Sequence, residues 1–301
     1  MLRKAGMSTT SRSAPESRVE SDPATVAERQ FADFWTAYVD SGHRGVGFLV
    51  RHPLRLTRMV RGMSNLPVVE VAPSDTDEGR AVRDVLVRPG PLRMPSRWFG
   101  TAVLEVPQDP DAYLMGRRAQ TLRRKIRSAQ KLGVRCELVT DPAERVALVE
   151  RAEDSERRHA NPLYRSPAPD NKHLLRHHLW IKAVDETGDV LLLAVAPVDG
   201  RFATLRYFRT LGASPAHTDS RYLATYALVR ELSQRGVTHL LDTEPPGAQT
   251  NGLRHFQRML GFRYVRMQLR RGSERVPAVS AWVACASLEP CIGVASFFPM
   301  F

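Results

Sequence analysis

The sequence predicts an α/β fold built on a mixed sheet, and three observations between Val190 and Arg270 carry that expectation. Val190 to Ala196 is an unbroken apolar run, the pattern of a strand covered on both faces. Asp199-Gly200 then separates it from a second run rich in aromatic residues, Phe202 to Leu211, which is a strong hairpin signal. Helical and strand patterns alternate from there to Leu269.

A loop from Gly212 to Asp219 is expected to lead into a helix beginning near Ser220. Asp219 or Ser220 is placed to cap it, and Ala224, Ala227, Leu228 and Leu232 share one face. The helix should end at Arg235-Gly236, where glycine suits a left-handed terminal residue. Val237 to Asp242 reads as another buried strand, Asn251 to Leu260 as a short helix closed by Gly261-Phe262, and Tyr264 to Leu269 as a last strand.

Upstream, residues 1–26 are rich in Ser, Thr, Glu and Arg and read as a disordered tail. Ala27 to Val39 carries Phe31, Phe34, Trp35 and Tyr38 near helical spacing. Gly45 to Met63 mixes apolar residues with Arg51, Arg55, Arg58 and Arg61. The favoured reading is a helical stretch, interrupted by Pro53, packed on the domain with a solvated arginine face; peripheral contact with an anionic membrane is the alternative. Pro67 to Ala72 and Arg97 to Val106 are expected strands. Pro110 to Leu132 is expected to be the most basic helix of the chain, and Pro142 to His159 a helix whose Glu and Arg residues form a salt-bridged surface. The division that results is 1–26 tail, 27–96 N-terminal elaboration, 97–271 principal domain and 272–301 apolar C-terminal tail. Pro277, Pro290 and Pro299 argue against a membrane-spanning helix in that last stretch.

With 301 residues and 43% of them hydrophobic, the chain has enough apolar side chains for a real core, which excludes global disorder. Its formal net charge of +12 favours an acidic partner such as a phosphorylated cofactor, nucleic acid or an anionic surface. Five of the 44 basic residues are lysines, an imbalance that genome composition explains as readily as function does. Three cysteines without framework spacing suit a reducing compartment, and the cytoplasm is the expected location. His173, His177 and His178 include a pair four residues apart, but nothing completes a ligand set. They read as surface histidines, and no metal is expected.

Two segments, Leu122 to Val134 and Gly252 to Phe262, resemble the FemAB-like branch of the GNAT superfamily of N-acyltransferases. So does the order of hairpin, loop, helix, acidic strand end and a helix closing on Leu260-Gly261-Phe262. The resemblance covers roughly residues 97–270. It implies a GNAT-like acyltransferase fold with a partial N-terminal elaboration, and acetyl-CoA or another acyl-CoA as co-substrate. The acyl group would go to an amine of a small-molecule or envelope-precursor acceptor. Aminoacyl-tRNA as donor and a non-catalytic binding module are the two alternatives; the oligomeric state stays open.

The same resemblance places candidate residues. Arg209, Gly212 and Ser214 occupy the loop that in this superfamily meets the donor's pyrophosphate, with Ser220 and Arg221 at the helix start; Asn251 at the next helix reads first as its cap and second as a donor contact. Tyr207, Asp242 and Glu244 are the proton-handling candidates, because strand ends in this fold face the donor cleft. Gln257 stands where many GNAT enzymes carry a tyrosine and where the FemAB-like branch commonly has lysine after phenylalanine; here Phe256 is kept and the lysine is not. Gln257 is therefore assigned to substrate binding.

Overall fold

The computed structural model describes residues 23–41, 46–89, 95–160, 162 and 165–270. Residues 1–22 of the expected N-terminal tail and the whole expected C-terminal tail, 272–301, with Cys285 and Cys291, lie outside the described residues, whereas 23–26, expected as tail, open the first helix.

The fold is α/β with a mixed sheet in two parts. The first orders its strands β1 (Val68–Val71), β10 (Arg263–Leu269), β2 (Thr101–Glu105), β9 (His239–Asp242), β7 (Phe202–Leu205) and β6 (Val198–Asp199). The second orders them β3 (Arg135–Leu138), β4 (Trp180–Val184), β5 (Val190–Val195) and β8 (Tyr207–Thr210). β5 is buried at every residue, as its unbroken apolar run requires. One hairpin joins the two parts. Its return strand runs parallel to β9 from Phe202 to Leu205, breaks at Arg206, and continues as β8 against β5. The aromatic run does not reveal this break. At Arg206 the backbone N–H donates to the Thr204 carbonyl at 3.0 Å instead of to a ladder partner.

Helices cover both faces. In front, α1 (Pro23–Asp40), α5 (Gln120–Lys131), α7 (Pro215–Gln234) and α8 (Asn251–Leu260) bury Phe31, Trp35, Leu122, Ile126, Leu228 and Phe256 in one cluster with the sheet. Behind, α4 (Asp77–Val87) covers the first part through Val82 and Leu86, and α6 (Pro142–Arg157) covers the second through Leu148, Val149 and Ala152. The N-terminal segment is woven into the same body. β1 pairs with β10, and Phe31 meets the Tyr264 ring at 4.9 Å between centroids.

Several boundaries differ from expectation for identifiable reasons. α7 starts at Pro215, not near Ser220, because Ser214 is its N-cap and proline fills the first helical position, where its missing N–H costs nothing. Thr250, not Asn251, caps α8. Arg97 to Phe99 is a 3-10 turn rather than strand, so β2 begins only at Thr101. The expected basic helix from Pro110 is a 3-10 turn over Pro110–Leu114 followed by α5. Gly116, at φ +78°, turns the chain between them, and Arg123 donates to the Leu114 and Gly116 carbonyls to hold that turn. Gly45 to Met63 gives two helices, α2 (Val46–Arg51) and α3 (Pro53–Ser64), parted at His52 by the proline. His177 is buried rather than on the surface. Its ring accepts or donates at Nδ1 with Glu78 at 2.7 Å.

One half-buried basic residue of α5 pairs with α7. Lys125 Nζ lies 2.9 Å from Asp219 Oδ1, and Asp219 is buried. Lys125→Met should cost about 2 kcal/mol by stranding that carboxylate, whereas Arg124→Ala and Arg127→Ala, both exposed, should stay within about 0.5 kcal/mol of wild type in urea unfolding.

Candidate active site

Where β8 parts from β9, its outer edge becomes the edge of the second sheet and borders a cleft of about 620 Å³. Tyr207 to Ala213 run along the cleft, α6 walls it behind with Ser155 and Glu156 and the residues after it add His159, and α7 closes it in front with Thr218 and Arg221. Four of the residues expected from sequence therefore meet here: Tyr207, Arg209, Gly212 and Arg221.

Their support is a carboxylate that the sequence reading placed on a surface. Glu156 Oε1 takes the Tyr207 hydroxyl at 2.9 Å, the Arg209 guanidinium at 2.9 Å and the Asn171 amide at 3.0 Å. Asn171 N–H in turn donates to Glu153 Oε1 at 2.9 Å. Glu153 and Glu156 are each only 8% exposed. The signal was available: Val149, Ala152, Glu153 and Glu156 recur at i, i+3, i+4 and i+7, a buried stripe that two acidic residues share. Burial, reinforced by the Glu156 charge, pushes the Tyr207 hydroxyl well above its ordinary pKa, so it stays a neutral donor. Arg209 also lies over the Tyr207 ring, 5.4 Å from its centroid.

Arg221 differs from Arg209 in having no carboxylate partner among the described residues. Its Nε donates to the Thr218 carbonyl at 3.1 Å, and the guanidinium stacks on Phe256 at 5.0 Å. Desolvation lowers its pKa, the mark of a cation held partly out of water. Gly212 packs so closely on the His217 ring that a Cβ there would fall 2.4 Å from Nε2. Ser214 serves as the α7 cap and bonds His217 Nδ1 at 2.7 Å. Ser220 is buried within α7 and donates to the His217 carbonyl, and exposed Asn251 donates to Asp40; neither borders the cleft.

Asp242 and Gln257 come together elsewhere, at the inner end of the wedge between β8 and β9. Gln257 Nε2 donates to Asp242 Oδ2, and the Glu244 N–H donates to Asp242 Oδ1 at 2.8 Å. Burial raises Asp242 from 3.8 to about 6, against the pull of those hydrogen bonds. Glu244 is buried beside it, with its carbonyl accepting from Gln249 at 3.0 Å. A void of only about 10 Å³ separates Asp242 from Phe208 and Phe256. Four of its lining residues are shared with larger clefts. Phe208 also lines the 620 Å³ cleft, while Gln257, Leu260 and Phe262 also line a second, larger cleft of about 740 Å³ between α1, α5 and α8. The acidic side chains Glu28, Asp33 and Glu105 border that second cleft together with Arg29, Arg118, Arg254, Arg258 and Arg263, and Glu28 is paired with Arg263 at 3.5 Å. Asp242 thus sits between two clefts, one side chain away from each.

Among the described residues no group of three His, Cys, Asp or Glu side chains is placed to hold a metal ion. No helix among them is long and apolar enough to cross a membrane.

No protein-family model matches the chain, and no curated protein matches it. Solved structures do. The C-terminal domain (DUF2156) of a protein from Agrobacterium fabrum described as a lysylphosphatidylglycerol synthetase is similar at 16% identity and a TM-score of 0.40, over 55% of this chain and 58% of that one. L-PGS from Bacillus licheniformis is similar at 13% identity and 0.40, over 55% and 57%. FemX is similar at 13% identity and 0.42, over 57% and 60%. In each case the similarity spans less than two thirds of the other chain.

Proposed function

We propose that the protein is a GNAT-like N-acyltransferase whose activated acyl donor lies along the free edge of β8 and ends at the N-terminus of α7. The observation that supports this most is the parting of β8 from β9 at Arg206, which leaves a strand edge running directly into a helix start. An edge strand offers main-chain groups to an extended arm carrying amides, which the pantetheine of coenzyme A is. The α7 N-terminus and the Arg221 guanidinium offer charge to the donor's phosphates, and the early start of α7 at Pro215 brings that terminus up against Gly212 and Ala213.

In the reaction, the acceptor amine attacks the thioester carbonyl, the carbon–nitrogen bond forms, the thiolate leaves, and the amine loses a proton. Asp242 is our choice for that proton: at about 6 it is mostly ionised at neutral pH yet basic enough to accept it. The donor arm would reach it by turning Phe208 and Phe256 aside. The amine would enter from the larger cleft past Gln257. Tyr207 and Arg209, fixed by Glu156, would shape the donor wall. Glu244 would orient Asp242 through its main-chain N–H.

Aminoacyl-tRNA is the second reading for the donor. It is favoured by the exposed Arg117, Arg118, Arg124, Arg127 and Lys131, which leave a basic surface leading from α5 toward the mouth of the larger cleft.

Titrating acetyl-CoA and bulk tRNA into wild type and Arg221→Ala separates the readings. The acyl-CoA reading expects acetyl-CoA to bind and the variant to lose about ten- to a hundredfold in affinity, as for a charge-assisted contact. Binding of tRNA alone, weakening steeply with salt, would replace it with the second reading.

A further inference from the structure

α2 and α3 present to solvent a surface that a helix packed on a domain does not need. Their inward side is already satisfied: Met59 and Gly62 of α3 are buried against α1, so tightly that a Cβ on Gly62 would lie 2.9 Å from the Ala27 carbonyl oxygen. Phe48 of α2 is buried against the rings of Phe34 and Tyr38. On the outward side, Val50 is 73% exposed and Leu54 74%, with Val60 half exposed beside them. Val50 and Leu54 flank the His52-Pro53 break, so the two aliphatic tips project where the helices meet.

Around them are Arg51, Arg55, Arg58 and Arg61, all exposed. None has an acidic partner among the described residues. The sequence contains no Asp or Glu from Ser41 to Val69, so the arginines have no local acid to pair with. On the surfaces of α4 and α6 the arginines do find such partners: Arg80 with Asp77, Arg157 and Arg158 with Asp154.

We infer that the α2–α3 elbow docks the protein on an anionic lipid bilayer, with Val50 and Leu54 entering the headgroup boundary and Arg51, Arg55, Arg58 and Arg61 meeting lipid phosphates. Charge complementarity selects the occupant. Exposed aliphatic tips gain from leaving water, unpaired arginines gain from a negative surface, and an anionic bilayer provides both at one depth. A nucleic acid backbone would use the arginines and leave the aliphatic tips in water. This inference is independent of the donor assigned to the cleft, since no residue of α2 or α3 borders either cleft.

The test is sedimentation of the full chain with vesicles of phosphatidylcholine, with and without phosphatidylglycerol, at rising salt. The expected result is binding that requires the anionic lipid and weakens with salt. Val50→Asn with Leu54→Asn should weaken it about tenfold through lost apolar insertion. Arg55→Glu with Arg58→Glu should weaken it at least about tenfold. All four side chains are exposed, so melting temperatures should match wild type and confirm that the variants fold. Bulk tRNA binding should be unchanged by Val50→Asn with Leu54→Asn. Absence of sedimentation, equal sedimentation without phosphatidylglycerol, or indifference to both pairs of substitutions would overturn the inference. So would loss of tRNA binding alone in the arginine variants, which would reassign the elbow to nucleic acid.

Discussion

Glu156→Ala is expected to be the most destabilising single substitution in the cleft, at about 3 kcal/mol. Its carboxylate is buried and accepts from Tyr207, Arg209 and Asn171 at once, so truncation strips the acceptor from two buried polar groups and the counter-charge from Arg209. Thermal unfolding followed by circular dichroism should show a melting point lower by about 6–12 °C. Glu156→Gln keeps an acceptor oxygen for Tyr207 and loses only the charge, so its cost should be clearly smaller. Equal losses in the two variants would mean that charge pairing with Arg209, not the shared acceptor, dominates. Neither variant losing stability would mean that the network contributes nothing.

Asp242→Asn should do the opposite to stability while harming turnover. The carboxyl holds its proton more tightly in the folded protein, at about 6 against 3.8 unfolded. Between those values the folded state binds more protons than the unfolded one, so stability falls as pH rises from about 4 to about 6. The full penalty, about 3 kcal/mol, then persists above pH 6. Asparagine cannot titrate. It can still accept the Glu244 N–H, and Gln257 can turn its own carbonyl to the new amide. The variant should therefore match wild type near pH 4 and exceed it at pH 7 by up to about 3 kcal/mol, measured by urea unfolding across that range. Acyl transfer should meanwhile fall by about 10²–10⁴, the usual loss when a general base is removed. A group kept at a cost in stability and needed for activity is the pattern of a functional residue. Unaltered turnover would take Asp242 out of the mechanism.

These contrasts show where the sequence was transparent. The bounds of α8 are legible because its apolar positions keep helical spacing and Gly261 ends it at φ +89°, although its cap is Thr250 and not Asn251. The hairpin at Asp199-Gly200 and the buried β5 are legible for the same kind of local reason. The start of α7 lies ahead of the expected Ser220 because Pro215, following a capping serine, is a favoured first helical residue and not part of the loop. The break at Arg206 left no local signal: Tyr207 and Phe208 suit either sheet, and the choice between β9 and β5 is tertiary. Of the site, Arg209, Gly212 and Arg221 follow from their loop and helix start, and Tyr207 from its strand end. Asp242 and Gln257 were named separately, and only the fold shows that they bond to each other. Glu156 was missed because salt-bridge spacing on α6 masked a stripe with Val149 and Ala152 that the fold turns inward.

The central claim is that the edge of β8 and the start of α7 form a donor site, and thermal unfolding of wild type and Arg221→Ala with acetyl-CoA tests it most directly. A donor present at a hundred times its dissociation constant adds about 2.7 kcal/mol, which should raise the wild-type melting point by several degrees. Arg221→Ala, binding at least about tenfold more weakly, should recover roughly half of that shift or less under the same conditions. A wild-type shift that the variant retains in full would place the donor elsewhere, and no shift at any concentration of acetyl-CoA would contradict the acyl-CoA assignment outright.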